Sequence, residues 1–109
     1  MIYKYDESNM RVITTGFSVV DIYKDNCSDM DYVIVNLNGE HGLCSNKRST
    51  KYWIILEGNA KIYLNDKIFE ANQGDFIVIE RNVKHNIIWK VKFGVLCTPT
   101  FDSSTEEYY

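Results

Sequence analysis

From Gly16 to Pro99 the chain is a succession of short runs of strand-forming residues, each cut off by a turn. The runs fall at 17–23, 32–37, 51–56, 61–64, 67–70, 76–79, 85–89 and 93–97, rich in Val, Ile, Tyr, Phe and Trp and too short for ordinary helices. Between them stand Asn38-Gly39, Glu57-Gly58-Asn59, Asn65-Asp66 and Gln73-Gly74-Asp75, with a longer polar break at 24–31. These residues supply the positive φ and side-chain-to-backbone bonds that tight turns need. The pattern predicts an all-β fold, an antiparallel sandwich or small barrel. At 109 residues one core is expected, so 1–109 is read as a single domain. Its core spans about 16–100, followed by the acidic, Tyr-rich tail FDSSTEEYY. Only the first dozen residues leave room for a helical turn.

Two runs, WIIL and DFIVI, are apolar at consecutive positions. Neighbouring side chains in a strand point to opposite faces, so both faces of these strands need cover. One face can look into a barrel; the other needs a second sheet or a second subunit, and a homodimer is expected. The net charge of −3 and the absence of any basic block beyond Asn46-Lys47-Arg48 argue against a nucleic-acid partner. No apolar run approaches the about 18 residues that span a bilayer, so no membrane partner is expected. Cys27, Cys44 and Cys97 are odd in number and irregular in spacing, unlike a disulfide framework. With no secretory leader visible, a reduced, cytoplasmic protein is the expectation.

The stretch GDFIVIERNVKH, residues 74–85, carries a more specific signal. It resembles the second motif of the cupins: a glycine, five residues, proline, one residue, glycine, two residues, histidine. Gly74 and His85 keep the spacing; Glu80 stands in the proline slot and Asn82 in that of the second glycine. Asparagine tolerates positive φ better than other non-glycine residues. Gly58 in WIILEGNAKI resembles the closing glycine of the family's first motif. Counting back puts Lys51 in the glutamate slot, and Ser45 and Lys47, or Cys44 and Asn46, in the histidine slots. The resemblance covers about 31–102 and implies an antiparallel double-sheet jelly-roll barrel.

Metal-bearing cupins hold a divalent ion with three imidazoles and one carboxylate. Of these only His85 matches here, and an amine, Lys51, replaces the carboxylate. A lysine reaching that site puts positive charge where the ion belongs, so no metal and no cofactor are expected. A different set, His41, Cys44 and His85, is chemically competent for zinc and is kept as an alternative, with a metal-dependent oxygenase or isomerase as its consequence.

Period two puts Ile87 and Trp89 on the face of His85, and Lys51, Trp53 and Ile55 together on another strand. In a cupin-like barrel these faces look inward. The expected function is metal-independent binding of a small polar or anionic ligand, sugar-like in one version. Trp53 and Trp89 then provide stacking surfaces, His85 and Lys51 polar anchors, and Asn46 and Lys47 a loop able to clamp an anionic group. The enzymatic alternative is a sugar or nucleotide-sugar isomerase or epimerase. There His85 is the general base and Tyr63, or Tyr52, the acid. Cys44 is a possible nucleophile beside His85, and a filled barrel with a structural or regulatory role is the remaining reading.

Overall fold

The computed structural model describes residues 1–24, 27 and 29–109, so part of the polar break expected at 24–31 lies outside the described residues. Among the described residues nine strands follow one another: β1 Met10–Thr14, β2 Phe17–Lys24, β3 Asp31–Glu40, β4 Cys44–Asn46, β5 Thr50–Leu64, β6 Lys67–Asn72, β7 Phe76–Ile79, β8 His85–Thr98 and β9 Glu106–Tyr108. Single 3-10 turns at Glu7–Asn9 and Ser103–Thr105 are capped by the carboxylates of Asp6 and Asp102. Every described strand pairing is antiparallel. Among the described residues no helix is long and apolar enough to cross a membrane.

β5 and β8 form the spine. They pair along almost their whole length, Thr50 with Thr98 at one end and Leu64 with His85 at the other. The free edge of β5 takes β7 and then β6, and that of β8 takes β3, which continues to β2 and β1. The sheet curls into the double-sheet barrel of the cupin fold. Trp53, Ile55, Ile62, Ile79, Ile87 and Phe93, each 1% exposed or less, fill its middle. Each such side chain contributes about 1.5–3 kcal/mol by leaving water.

Two pairs of expected strands turn out to be single long ones. The expected turn at 57–59 is a bend inside β5, where Glu57 and Gly58 stay paired with Lys92 and Val91. Gly58 sits at φ +83°, and a Cβ there would stand 2.5 Å from the Lys90 carbonyl oxygen. The register slips between Ile55 and Glu57. Inward positions therefore change from odd (Lys51, Trp53, Ile55) to even (Ala60, Ile62). β8 likewise runs through 89–93 without a break, with Trp89 at φ +95°. Asn82 adopts φ +70°, the conformation its glycine slot requires.

The tail does not hang outside the core. β9 pairs with β4, Cys44 opposite Tyr108 and Asn46 opposite Glu106, and brings an acidic side chain into the barrel.

Candidate functional site

The sequence puts Lys51 at the second position of β5, on the face shared with Trp53 and Ile55, and Lys51 is 4% exposed. A lysine buried among apolar neighbours must find acceptors or lose its charge. Its Nζ donates to Glu106 Oε1 at 2.6 Å and to His85 Nε2 at 3.0 Å. Glu106 comes from β9, with its side chain 1% exposed. Its second oxygen, Oε2, accepts from Asn46 Nδ2 at 2.6 Å. Cys44, fully buried, has Sγ 3.4 Å from His85 Nε2.

His85 opens β8 and is 1% exposed. Its Nδ1 donates to the Val83 carbonyl at 2.8 Å, which leaves the Nε2 lone pair facing the Lys51 ammonium. Trp53 meets the ring edge-on, with centroids 5.5 Å apart. Half-buried His41 completes the group, its ring 4.9 Å from that of Phe17 and its Nδ1 3.9 Å from Cys44 Sγ. The 40–42 loop that carries His41 is tied down by Asn86, which accepts from Gly42 N and donates to Glu40 Oε1. Among the described residues no buried side-chain nitrogen or oxygen lacks a hydrogen-bond partner.

Burial, reinforced by the Lys51 charge, lowers the His85 pKa to about 4. At neutral pH the ring is uncharged, and a base so weak, with its lone pair already engaged, is poorly suited to abstracting protons. Burial lowers the His41 pKa as well. Burial alone would raise the Glu106 pKa; the Lys51 charge and the hydrogen bonds from Lys51, Asn46 and Cys44 outweigh it and hold the carboxyl below its usual range. Burial pushes the Cys44 thiol up to about 12, against the pull of Lys51, so no thiolate is present for nucleophilic attack. The site thus holds one ammonium, one carboxylate, neutral imidazoles and a thiol.

Of the expected site residues, Lys51, Trp53 and His85 converge as anticipated. Trp89 does not join them. Its positive φ swings it out of the alternation that Ile87 obeys, and it lies 43% exposed beneath Lys61, whose Nζ is 4.9 Å from the ring. Tyr63 lies opposite Asn86, on the outer face of β5, because the register slip turns Ile62 inward in its place. Tyr52 is also outside, stacked on Phe76. Neither tyrosine can serve as an acid beside His85. Asn46 is not a mobile clamp: buried and 2% exposed, it receives Arg48 N and Ser49 N on Oδ1 and holds Glu106. Lys47 is exposed and lines an outer cleft of about 570 Å³ with Tyr52, Glu80 and Arg81. A second outer cleft, of about 500 Å³, lies over β1, β2, β3 and β8 and is bordered by Val12, Asn36, Lys90 and Lys92. Glu106 is the residue that reading the sequence missed. The signal for it was Lys51 itself, a buried cation whose anion had to come from somewhere.

The three-imidazole, one-carboxylate set of a metal-bearing cupin does not fit here. His85 is its only matching ligand, and the Lys51 ammonium lies in hydrogen-bond contact with that ring. The alternative set of His41, Cys44 and His85 converges only in part: Cys44 lies near both imidazoles, but the group whose ligand atoms all lie within 4.8 Å of one another is Cys44, His85 and Glu106, with His41 outside it.

No family model and no curated protein matches the chain by sequence. Solved structures do. Pac13, a nucleoside dehydratase whose Streptomyces variants were solved with uridine, superposes with TM-score 0.86 at 19% identity, covering 100% of this chain and 92% of the other. KdgF from Halomonas gives TM-score 0.86 at 15% identity, covering 95% and 97%. An RmlC-like cupin from Shewanella frigidimarina gives 0.81 at 15%, covering 94% of each.

Proposed function

We propose that this cupin-fold protein binds a small polar or anionic ligand in its barrel without a metal, at the end marked by Lys51, His85 and Glu106. The observation that carries this reading is the buried Lys51–His85–Glu106 cluster. An ion pair inside a small barrel is no better for stability than apolar packing of the same volume, so its retention calls for a reason other than folding. The cluster offers a fixed positive charge and a neutral imidazole. Trp53 and the ring pair of His41 and Phe17 surround it with aromatic surface. A carboxylate or phosphate on the ligand takes over the ion pair that Glu106 makes with Lys51, while an apolar ring face packs on the aromatics.

Thermal-shift titration tests this with sugar phosphates, nucleotide sugars, small carboxylates and uridine. A ligand that binds the folded form raises the melting temperature by mass action. His85→Ala abolishes the shift, whereas Glu106→Gln, which weakens the internal competitor, strengthens binding of an anionic ligand. A panel without any saturable shift, or shifts indifferent to His85→Ala, sinks the reading.

A second reading is catalytic and draws on the likeness to a nucleoside dehydratase along the whole chain. Here the Lys51–Glu106 pair, with N and O 2.6 Å apart, serves as the acid and base of an elimination from a sugar-bearing substrate. Product analysis on the same ligand panel separates it from simple binding. In either case the buried thiols of Cys44 and Cys97, outside any disulfide, fit a reducing compartment. The exposed apolar rings on the outer face of β5 and β7 fit a homodimer.

A further inference from the structure

The interior cluster has the donor composition of a transition-metal site, and an ammonium contacts two of its three members. Sulfur, imidazole nitrogen and carboxylate oxygen are the three ligand types that zinc takes from proteins. Cys44 Sγ and His85 Nε2 stand 3.4 Å apart. Ligands at about 2.3 and about 2.05 Å from a tetrahedral ion stand about 3.6 Å apart, so this pair is already at coordination spacing. Glu106 closes a triangle whose ligand atoms all lie within 4.8 Å. The His85 ring is held as metal-binding imidazoles are held: Nδ1–H on a backbone carbonyl, at 2.8 Å from Val83 O, and Nε2 turned to the centre. What stands there is Lys51 Nζ, 3.0 Å from His85 Nε2 and 2.6 Å from Glu106 Oε1.

We propose that Cys44, His85 and Glu106 form a cation site whose occupant is the chain's own Lys51 ammonium, so that removing this amine opens the site to a divalent metal of zinc type. The positive charge of this cluster is carried on a side chain. Being tethered, it competes with any free ion at high effective concentration and cannot be chelated away. The inference does not depend on which ligand the barrel binds.

The test is cobalt(II) titration of Lys51→Met and Lys51→Ala, with cobalt as a spectroscopic stand-in for zinc. The variants take up one equivalent and develop a thiolate-to-cobalt charge-transfer band. Adding Cys44→Ser removes that band, and the unaltered protein binds cobalt about a hundredfold more weakly or worse. A folded Lys51→Met that shows no band, or an unaltered protein that binds as tightly as the variants, overturns the proposal. If Lys51→Met does not fold in metal-free buffer, zinc must restore the near-ultraviolet dichroism of the buried Trp53, and failure to do so overturns it equally. Loss of ligand binding in the thermal-shift assay leaves these readouts untouched, so the two readings fail separately.

Discussion

The two faces of β5 each depart from the usual distribution of polarity in a barrel. Its inner face begins with a lysine, Lys51, before Trp53 and Ile55, and all three are buried. Its outer face carries Tyr52 and Ile54, registered against Val78 and Phe76, which are 45% and 59% exposed. One ion pair is seated in an otherwise apolar interior, and some hydrocarbon is left on the outer face. The inner charge is compensated by groups from three other strands, His85, Glu106 and, through Glu106, Asn46. Even with Tyr52 stacked on Phe76, both Phe76 and Val78 stay largely exposed among the described residues. Self-contained polarity inside suggests chemistry; unpartnered apolar surface outside suggests association.

The comparison breaks most sharply at Glu106. Glu106→Ala strands a buried ammonium and should cost about 3–5 kcal/mol in urea unfolding, while the apolar pair Lys51→Met with Glu106→Leu should restore stability or exceed the starting value. If Glu106→Ala costs less than about 1 kcal/mol, the interior is wetter than a buried ion pair requires. Acid tests the same face next. His85 titrates at about 6.5 in an unfolded chain and about 4 when folded, so between these values the unfolded chain binds the more protons. Stability is therefore complete above about pH 6.5 and falls toward pH 4, by about 3 kcal/mol from this ring. Lowered pKa values at His41 and Glu106 add losses of the same sign. Urea midpoints measured from pH 7 to pH 4 that stay level would show that His85 is not desolvated.

The bend that separates the two halves of β5 is probed by Gly58→Ala. Positive φ and a Cβ placed 2.5 Å from a backbone oxygen predict a loss of about 2 kcal/mol, visible as a lowered melting temperature. The smallest effect on the folded chain itself belongs outside. Phe76→Lys should change monomer stability by about 0.5 kcal/mol or less and yet shift the sedimentation coefficient toward monomer. An unchanged coefficient removes the outer face as a contact between copies.

Much of this was legible in sequence because strands advertise themselves by local rules. The runs at 17–23, 32–37 and 76–79 became β2, β3 and β7, and the asparagine in a glycine slot took its left-handed conformation. The runs at 51–56 and 61–64 fused into β5 because a glycine can bend a strand without ending it, and Gly58 reads alike in either role; those at 85–89 and 93–97 fused into β8 because Lys90-Val91-Lys92 stays paired with β3. Trp89 and Tyr63 were misplaced because period two holds only where register and backbone are regular: the slip between Ile55 and Glu57 reverses the faces of β5 beyond it, whereas the positive φ of Trp89 turns that side chain out alone and Val91 and Phe93 face inward again. Lys51, Trp53 and His85 were found because they lie on uninterrupted stretches. Glu106 was invisible because its partner is 55 residues away and its own neighbourhood, TEEYY, reads as solvated tail.

Among the described residues β9 has one ladder partner, β4, over three residue pairs, beside the Lys51–Glu106 ion pair that ties it to β5. Detaching it costs far less than unfolding the spine of β5 and β8, so amides such as that of Tyr109, bonded to the Leu43 carbonyl, should exchange with solvent deuterium well before those of Trp53 or Phe93. The protein can thus uncover its most expensive charge by a local fluctuation, on a clock of its own, while the barrel stays shut.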